Sequence, residues 1–226
     1  IYKFKDEKKI ESPEHYRHNA IKRIAFQRNT LMNTVNEIAN PNDFIFYSDN
    51  DEIPNMENFE QIKETNDIVI FEQKLFYYKF NLLFERVNWY GTKAVKKKKL
   101  INFEWLRQVK PKKYGFYRLD TLFKKDRYIQ LKIINNGGWH FNNLKTAEEL
   151  YLKLINQGHH NEFDASKITV EELQNKIDNK FAFYNHKADK TATNKYDFEY
   201  KLKKIGDEQL PNYLVENRAK YIDWFD

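Results

Sequence analysis

The sequence has no cysteine. That excludes a disulfide framework, a thiolate-held zinc ion and a cysteine nucleophile. It has only 6 glycines and 5 prolines among 226 residues, and neither a P-loop nor a GxGxxG spacing occurs. A phosphate-bearing ligand must therefore be met by a metal ion and basic side chains, not by a glycine-rich cradle. No run approaches the roughly 20 apolar residues of a membrane helix, and no secretory leader pattern is visible from Ile1 onward. Aromatic residues, by contrast, are abundant: 18 Phe, 15 Tyr and 4 Trp. With 41% hydrophobic residues the chain is no disordered polyelectrolyte. Its length suits one compact domain, residues 1–226, with a real core and a helical C-terminal part over about 146–226.

Charge is unevenly placed. The net charge is +6, and two basic clusters stand out: Lys96 to Lys99, and Lys110 with Lys112 and Lys113. Each reads either as a solvated flank of a strand or loop, or as a patch for an anionic partner. No zinc-finger spacing or RNP-like aromatic motif accompanies them, so nucleic acid is not the expected partner.

The pattern of elements is α/β. Ser12-Pro13 reads as an N-cap with proline at the first helical position. Ile21, Ile24, Ala25, Met32, Val35 and Ile38 recur at helical spacing, and Asn40-Pro41 stops the run. Asp43 to Ser48 reads as a buried strand. Asp67–Phe71, Leu75–Phe80 and Tyr128–Ile134 read as further strands, with a turn at Asn135-Asn136-Gly137-Gly138. Phe103–Val109 has the makings of a short helix. Thr146-Ala147-Glu148-Glu149 and Thr169-Val170-Glu171-Glu172 are capping boxes that start two helices, the first of which Gly158 can end. Residues 187–209 read as an irregular polar arm, and a last helix starts at Pro211.

The sharpest chemical feature is Asp49-Asn50-Asp51-Glu52-Ile53-Pro54. Carboxylates this close repel one another, so at the end of an apolar strand they read either as an acidic turn that only ends the strand or as a cation site. Alternate residues Asp49 and Asp51 can point the same way and share a cation. Strand ends of α/β sheets are also where ligands bind. Ile53 and Pro54 stand where a calcium loop of EF-hand type needs Asp or Asn and then Gly, so a Mg²⁺ or Mn²⁺ site completed by substrate phosphates is the surviving reading. A second feature is Gly137-Gly138-Trp139-His140-Phe141, which displays a histidine between a strand and a capped helix. A third is His159-His160-Asn161-Glu162, which lacks the spacing of a zinc protease.

Together these segments resemble glycosyltransferase family 17, whose type enzyme adds bisecting N-acetylglucosamine. The resemblance runs in order over most of the chain. It comprises Phe26-Gln27-Arg28-Asn29, Tyr47 to Pro54, Trp89-Tyr90-Gly91-Thr92 with Ala94-Val95, Gly137 to Phe141, His160 to Phe163, and Leu210 to Leu214. Two departures stand out. Asn50 replaces a frequent valine, and Asn135-Asn136 stands where relatives often carry an aspartate.

The resemblance implies a GT-A-like nucleotide-sugar-binding fold: a mixed central sheet flanked by helices, with a helical C-terminal decoration. It implies a metal-dependent inverting glycosyltransferase that moves a sugar from a UDP-sugar, expected to be UDP-N-acetylglucosamine, to a glycan acceptor. Asp49, Asp51 and His140 would hold Mn²⁺ or Mg²⁺. Arg28, Asp49 and Trp139 would contact the donor, and Glu162 would be the general base, with Asp120 as runner-up. The rival readings are a metal-dependent phosphodiesterase or nuclease, and a non-catalytic glycan- or polyanion-binding module. The Lys- and Asn-rich composition points to a cytoplasmic protein of bacterial or viral source, with an anchor upstream of Ile1 still compatible with it.

Overall fold

The computed structural model describes residues 7–112, 130–157, 160–188, 194–196 and 198–226. Lys113, Asp120, Gly158, His159 and the start of the expected strand at Tyr128 lie outside them.

Helix α1 (Pro13–Ile38) starts as its sequence dictates. Ser12 is its N-cap, accepts a hydrogen bond from the His15 amide at 3.3 Å and is followed by proline. Strand β1 (Phe44–Tyr47) follows, then the acidic turn, then β2 (Glu52–Pro54). Strand β3 (Ile68–Tyr77) is the backbone of the fold. It is an almost continuous apolar run because both of its faces are covered. The two strands expected over 67–71 and 75–80 are this single strand.

The sheet is mixed and curled, and β3 changes partners halfway along. Its first half pairs with β5 (Trp89–Lys96) on one side, antiparallel, and with β6 (Leu131–Ile134) on the other, parallel. Its second half pairs with β4 (Leu82–Leu83), antiparallel, and with β7 (Gly138–Asn142), parallel. Strand β1 extends the sheet beyond β5, and β2 extends it beyond β7.

Strands β6 and β7 thus follow the same side of β3 in the same direction. Ile134 faces Phe71 and Trp139 faces Lys74, so the chain carries two residues more than the stretch of β3 it passes. Asn135 to Gly137 is therefore a bulge within one continued strand and not the expected turn. Positive φ at Asn136 (49°) and Gly138 (138°) takes up the excess.

Helices cover the faces. Helix α2 (Phe103–Gln108) lies against the β1–β5 end, where Leu106 joins Ile68, Ile70 and Val95 in one apolar cluster. Both expected capping boxes form: Thr146 opens α3 (Ala147–Asn156) and Thr169 opens α5 (Val170–Asp178), each with its reciprocal glutamate contact. Together with α4 (His160–Ser166) they bury Leu150, Leu154, Phe163 and Leu173 against Leu75, Tyr77 and Phe84 of the sheet. Short pairings follow: β8 (Phe181–Ala182) with β9 (Tyr200–Lys201), and β10 (Lys203–Lys204) with β4. Helix α6 (Asn212–Glu216), starting after Pro211, closes the other face with Leu214 against Phe76 and Phe141.

This is an α/β protein with a curled mixed sheet flanked by helices. No helix among the described residues is long and apolar enough to cross a membrane.

Candidate functional site

The two motifs singled out in the sequence are antiparallel neighbours. Glu52 of β2 faces His140 of β7, Ile53 faces Trp139, and Pro54 faces Gly138. The Phe141 amide also donates to the Asp51 carbonyl at 2.9 Å. The second half of the acidic turn, from Asp51 on, is thereby fixed against the histidine strand.

The curl of the sheet then brings β2 across β5. Glu52 is buried, with Oε1 accepting from Trp89 Nε1 at 2.7 Å and Oε2 accepting from the Asp49 amide at 3.1 Å. Burial pushes its pKa above the ordinary glutamate value, opposed by those two donors. Gly91 makes the approach possible. A β-carbon there would sit 2.2 Å from Gln73 Oε1 and 2.6 Å from the Glu52 carboxyl carbon. Gly138 is equally constrained, since a β-carbon would fall 2.1 Å from the Ile53 carbonyl oxygen.

Asp51 and His140 form the centre. Asp51 Oδ2 lies 3.3 Å from His140 Nε2. Burial raises the Asp51 pKa, but the His140 contact and the nearby Lys153 cation outweigh it, and the carboxyl sits below its ordinary value. His140 is buried, and its ring lies on Trp89 with centroids 4.4 Å apart. Its Nδ1 atom is buried without a hydrogen-bond partner among the described residues, which is uncommon for a buried polar atom.

Asp49 is held from the other side. Oδ1 accepts from the Tyr47 hydroxyl at 3.0 Å and Oδ2 from Arg107 at 3.1 Å. Burial lowers the Arg107 pKa, the Asp49 partnership raises it more, and the net shift is upward. Arg28 does not reach the turn directly. It donates to the Tyr47 hydroxyl at 2.9 Å and to Glu104 at 2.7 Å, so it braces the tyrosine that braces Asp49. Lys93 completes this side. Its buried ammonium meets the Arg107 carbonyl, and burial, reinforced by the Arg107 charge, lowers its pKa to about 8.

Not every residue expected at the site gathers here. Trp139 points to the opposite face of β7 from His140, packs with the C-terminal cluster and donates to the Gln209 carbonyl at 2.7 Å. Strand alternation separates it from the acidic turn. Glu162 sits on α4, where both carboxylate oxygens accept from Lys195 at 2.9 Å. It lines a neighbouring cavity of about 190 Å³ that also reaches Asn143 and Lys153. His160 pairs with Asp164 at 2.6 Å, within its own helix. Asp120 lies outside the described residues. Asn135 and Asn136 line a separate cleft of about 450 Å³, with Glu72, Glu85 and Asn88.

Among the described residues no three Asp, Glu or His side chains converge closely enough to hold an ion by themselves. The donor chemistry still suits a hard divalent ion held by few protein ligands and completed by phosphate and water. Asp51 and His140 Nε2 are the pair already brought together. Asp49 already accepts one hydrogen bond on each carboxylate oxygen, from Tyr47 and from Arg107.

Several site residues carry weak sequence signals or none. Trp89 and Gly91 lie in a segment noted only for its resemblance, and nothing around Arg107 or Lys93 marks them. Lys153 is an interruption on the flank of the α3 apolar stripe, a signal of some use. No family model matches the chain, and no curated protein or solved structure matches it either.

Proposed function

We propose that this protein is a metal-dependent inverting glycosyltransferase of the glycosyltransferase family 17 type, with a GT-A-like arrangement. On this reading it takes a UDP-sugar donor, with N-acetylglucosamine the first sugar to test, and a glycan acceptor. The observation that carries the reading is the pairing of β2 with β7. It joins the Asp-Asn-Asp-Glu turn to the histidine of the Gly-Gly-Trp-His segment, far apart in the sequence, by setting Glu52 opposite His140.

In this mechanism Asp51 and His140 would hold the divalent ion, with Asp49 as a further candidate ligand. Bound there, Mn²⁺ or Mg²⁺ would supply charge neutralisation at the leaving diphosphate. Arg107, at the mouth of the turn and 41% exposed in its side chain, then turns its guanidinium to a phosphate oxygen, which it can grip in bidentate fashion. Glu52 and Trp89 keep the turn and the His140 ring in place. The acceptor hydroxyl oxygen attacks the anomeric carbon as the bond to the diphosphate breaks. The electron pair leaves with the nucleoside diphosphate, and Glu162 takes the hydroxyl proton.

The basic run at Lys96–Lys99 gives the nuclease alternative little support. Lys97 donates to the Ala39 carbonyl, Lys98 to Asn42 and Lys99 to the Asn66 carbonyl, at 2.7 to 2.8 Å. The test is nucleoside diphosphate release from a panel of nucleotide sugars, with Mn²⁺ or EDTA and a glycan mixture as acceptor. Mn²⁺-dependent release of UDP is expected. No release from any donor, with hydrolysis of a phosphodiester substrate instead, would contradict the reading.

A further inference from the structure

A second cavity lies beside the acidic turn, between α3, α4 and the segment after β8. It holds about 190 Å³, room for one sugar ring and not for a chain. Its walls are aromatic. Tyr184 and Tyr196 meet at 5.2 Å and 67°, and Tyr184 and His186 at 5.0 Å and 73°. Rings set this way form a corner. A flat nucleobase prefers a parallel slot, whereas a pyranose presents apolar C–H faces to such a corner and hydroxyls to its rim.

The rim supplies planar polar groups. Gln157 donates to the Tyr196 hydroxyl at 3.1 Å, Lys153 donates to Asn143 at 2.7 Å, and Glu162 pairs with buried Lys195. The Glu162–Lys195 pair cancels its own charge. The Lys153 cation is drawn toward Asp51, whose charge partly offsets the lowering of its pKa by burial. The cavity is thus polar at its edge without a net charge of one sign, which suits a neutral polyhydroxyl ligand. It adjoins the candidate site through a chain of packed rings. His186 lies 6.1 Å from Trp89, which in turn covers His140.

We propose that this cavity is a carbohydrate subsite for a single neutral pyranose, the ring whose hydroxyl accepts the transferred sugar. The acceptor role rests on the transferase reading above, while binding of the pyranose does not. The subsite seats the ring in the corner that Tyr184 and Tyr196 form, with a hydroxyl toward Glu162 and the opposite edge toward solvent.

The test is saturation-transfer NMR on the whole chain with the methyl glycosides of mannose, glucose, galactose and N-acetylglucosamine. UDP binding in Mn²⁺ is measured in parallel by thermal shift. At least one methyl pyranoside should receive saturation. Its affinity should fall on the order of tenfold or more in Tyr184→Leu and in Gln157→Ala, while both variants keep wild-type UDP binding. Gln157 is at the surface end of α3, so its variant remains informative if Tyr184→Leu folds poorly. No saturation of any pyranoside, or equal binding by both folded variants, would overturn the subsite. Loss of UDP binding in the two variants would assign the cavity to the nucleotide and overturn it too. UDP binding without pyranoside binding sinks the subsite and leaves the transferase reading standing. Pyranoside binding without any nucleotide binding keeps the subsite and sinks the transferase reading.

Discussion

Two charged runs flank the same pair of strands. The acidic run, Asp49 to Glu52, follows the end of β1, and the basic run, Lys96 to Lys99, follows the end of β5. Because β1 and β5 are antiparallel, with Tyr47 facing Lys93 and Phe44 facing Lys96, the runs lie at opposite ends of one ladder. They are equally conspicuous as sequence and have opposite fates. The lysines are absorbed by the scaffold: Lys97 ties down the end of α1, and Lys96 sits over the Phe44 ring at 5.7 Å. Lysine beside the final carbonyls of a helix is a structural device. The carboxylates instead meet a histidine, a tryptophan and an arginine from distant elements. A run of charge thus points to chemistry when its partners are distant and incompletely satisfied, as His140 Nδ1 is.

The strongest way to break this comparison is Asp51→Asn. It keeps the shape of the turn and removes the charge. We expect sugar transfer to fall on the order of 10³-fold, about 4 kcal/mol, with the far-UV spectrum unchanged. Wild-type turnover in that variant would reduce the acidic run to the same scaffold role as the lysines.

Next in size is an acid effect on stability. Burial, with a smaller contribution from His140, lowers the His186 pKa to about 4. Its Nε2 then accepts from the Tyr77 hydroxyl, whose own pKa burial has raised. A depressed folded-state value means that between about 4 and the ordinary histidine value the unfolded chain binds a proton that the folded chain does not. Stability from this residue is therefore complete above the ordinary value and lost as pH falls to about 4. The loss is about 3 kcal/mol. Urea unfolding at pH 7 and pH 4 should show it in the wild type and not in His186→Gln. Equal acid losses in both would mean that the interior beside the site is wetter than its packing implies.

Gly138→Ala comes third. The residue is at φ 138° against the Ile53 carbonyl, so the substitution should cost about 2 kcal/mol and loosen the β2–β7 pairing. Thermal unfolding would read the first effect and weaker UDP binding the second. An alanine variant as stable as the wild type would refute the close approach on which the site depends. The smallest effect belongs to the other end of the ladder. Lys97→Met should lose about 1 kcal/mol of stability through the α1 cap and leave transfer unchanged. A drop in transfer would return the basic run to the functional side.

What was legible in the sequence follows from where the signals are local. Ser12-Pro13 and the two Thr-x-x-Glu boxes state their own geometry within four residues, and the helices begin there. The acidic turn stands out in the sequence because carboxylates after an apolar strand have no local purpose. Its neighbours do not. Glu52, read as one more acid of the motif, became the buried anchor because the curl of the sheet brought Trp89 and Gly91 over it. Arg28 was expected at the donor, and it braces Tyr47, the tyrosine that holds Asp49. Trp139 was expected beside the donor, and strand alternation puts it on the face of β7 opposite His140. The bulge at Asn135–Gly137 read as a turn because glycine and asparagine mark both, and only the shared partner β3 distinguishes them.

The most direct measurement is thermal unfolding with UDP-N-acetylglucosamine, in Mn²⁺ and in EDTA, for the wild type and Asp51→Asn. A ligand at roughly 100 times its Kd should raise the wild-type melting temperature by about 5 °C or more. The account predicts that rise in Mn²⁺ alone, its loss in EDTA and its loss in Asp51→Asn. A rise that survives both EDTA and the substitution would contradict the claim that Asp51 and His140 hold the donor through a metal ion.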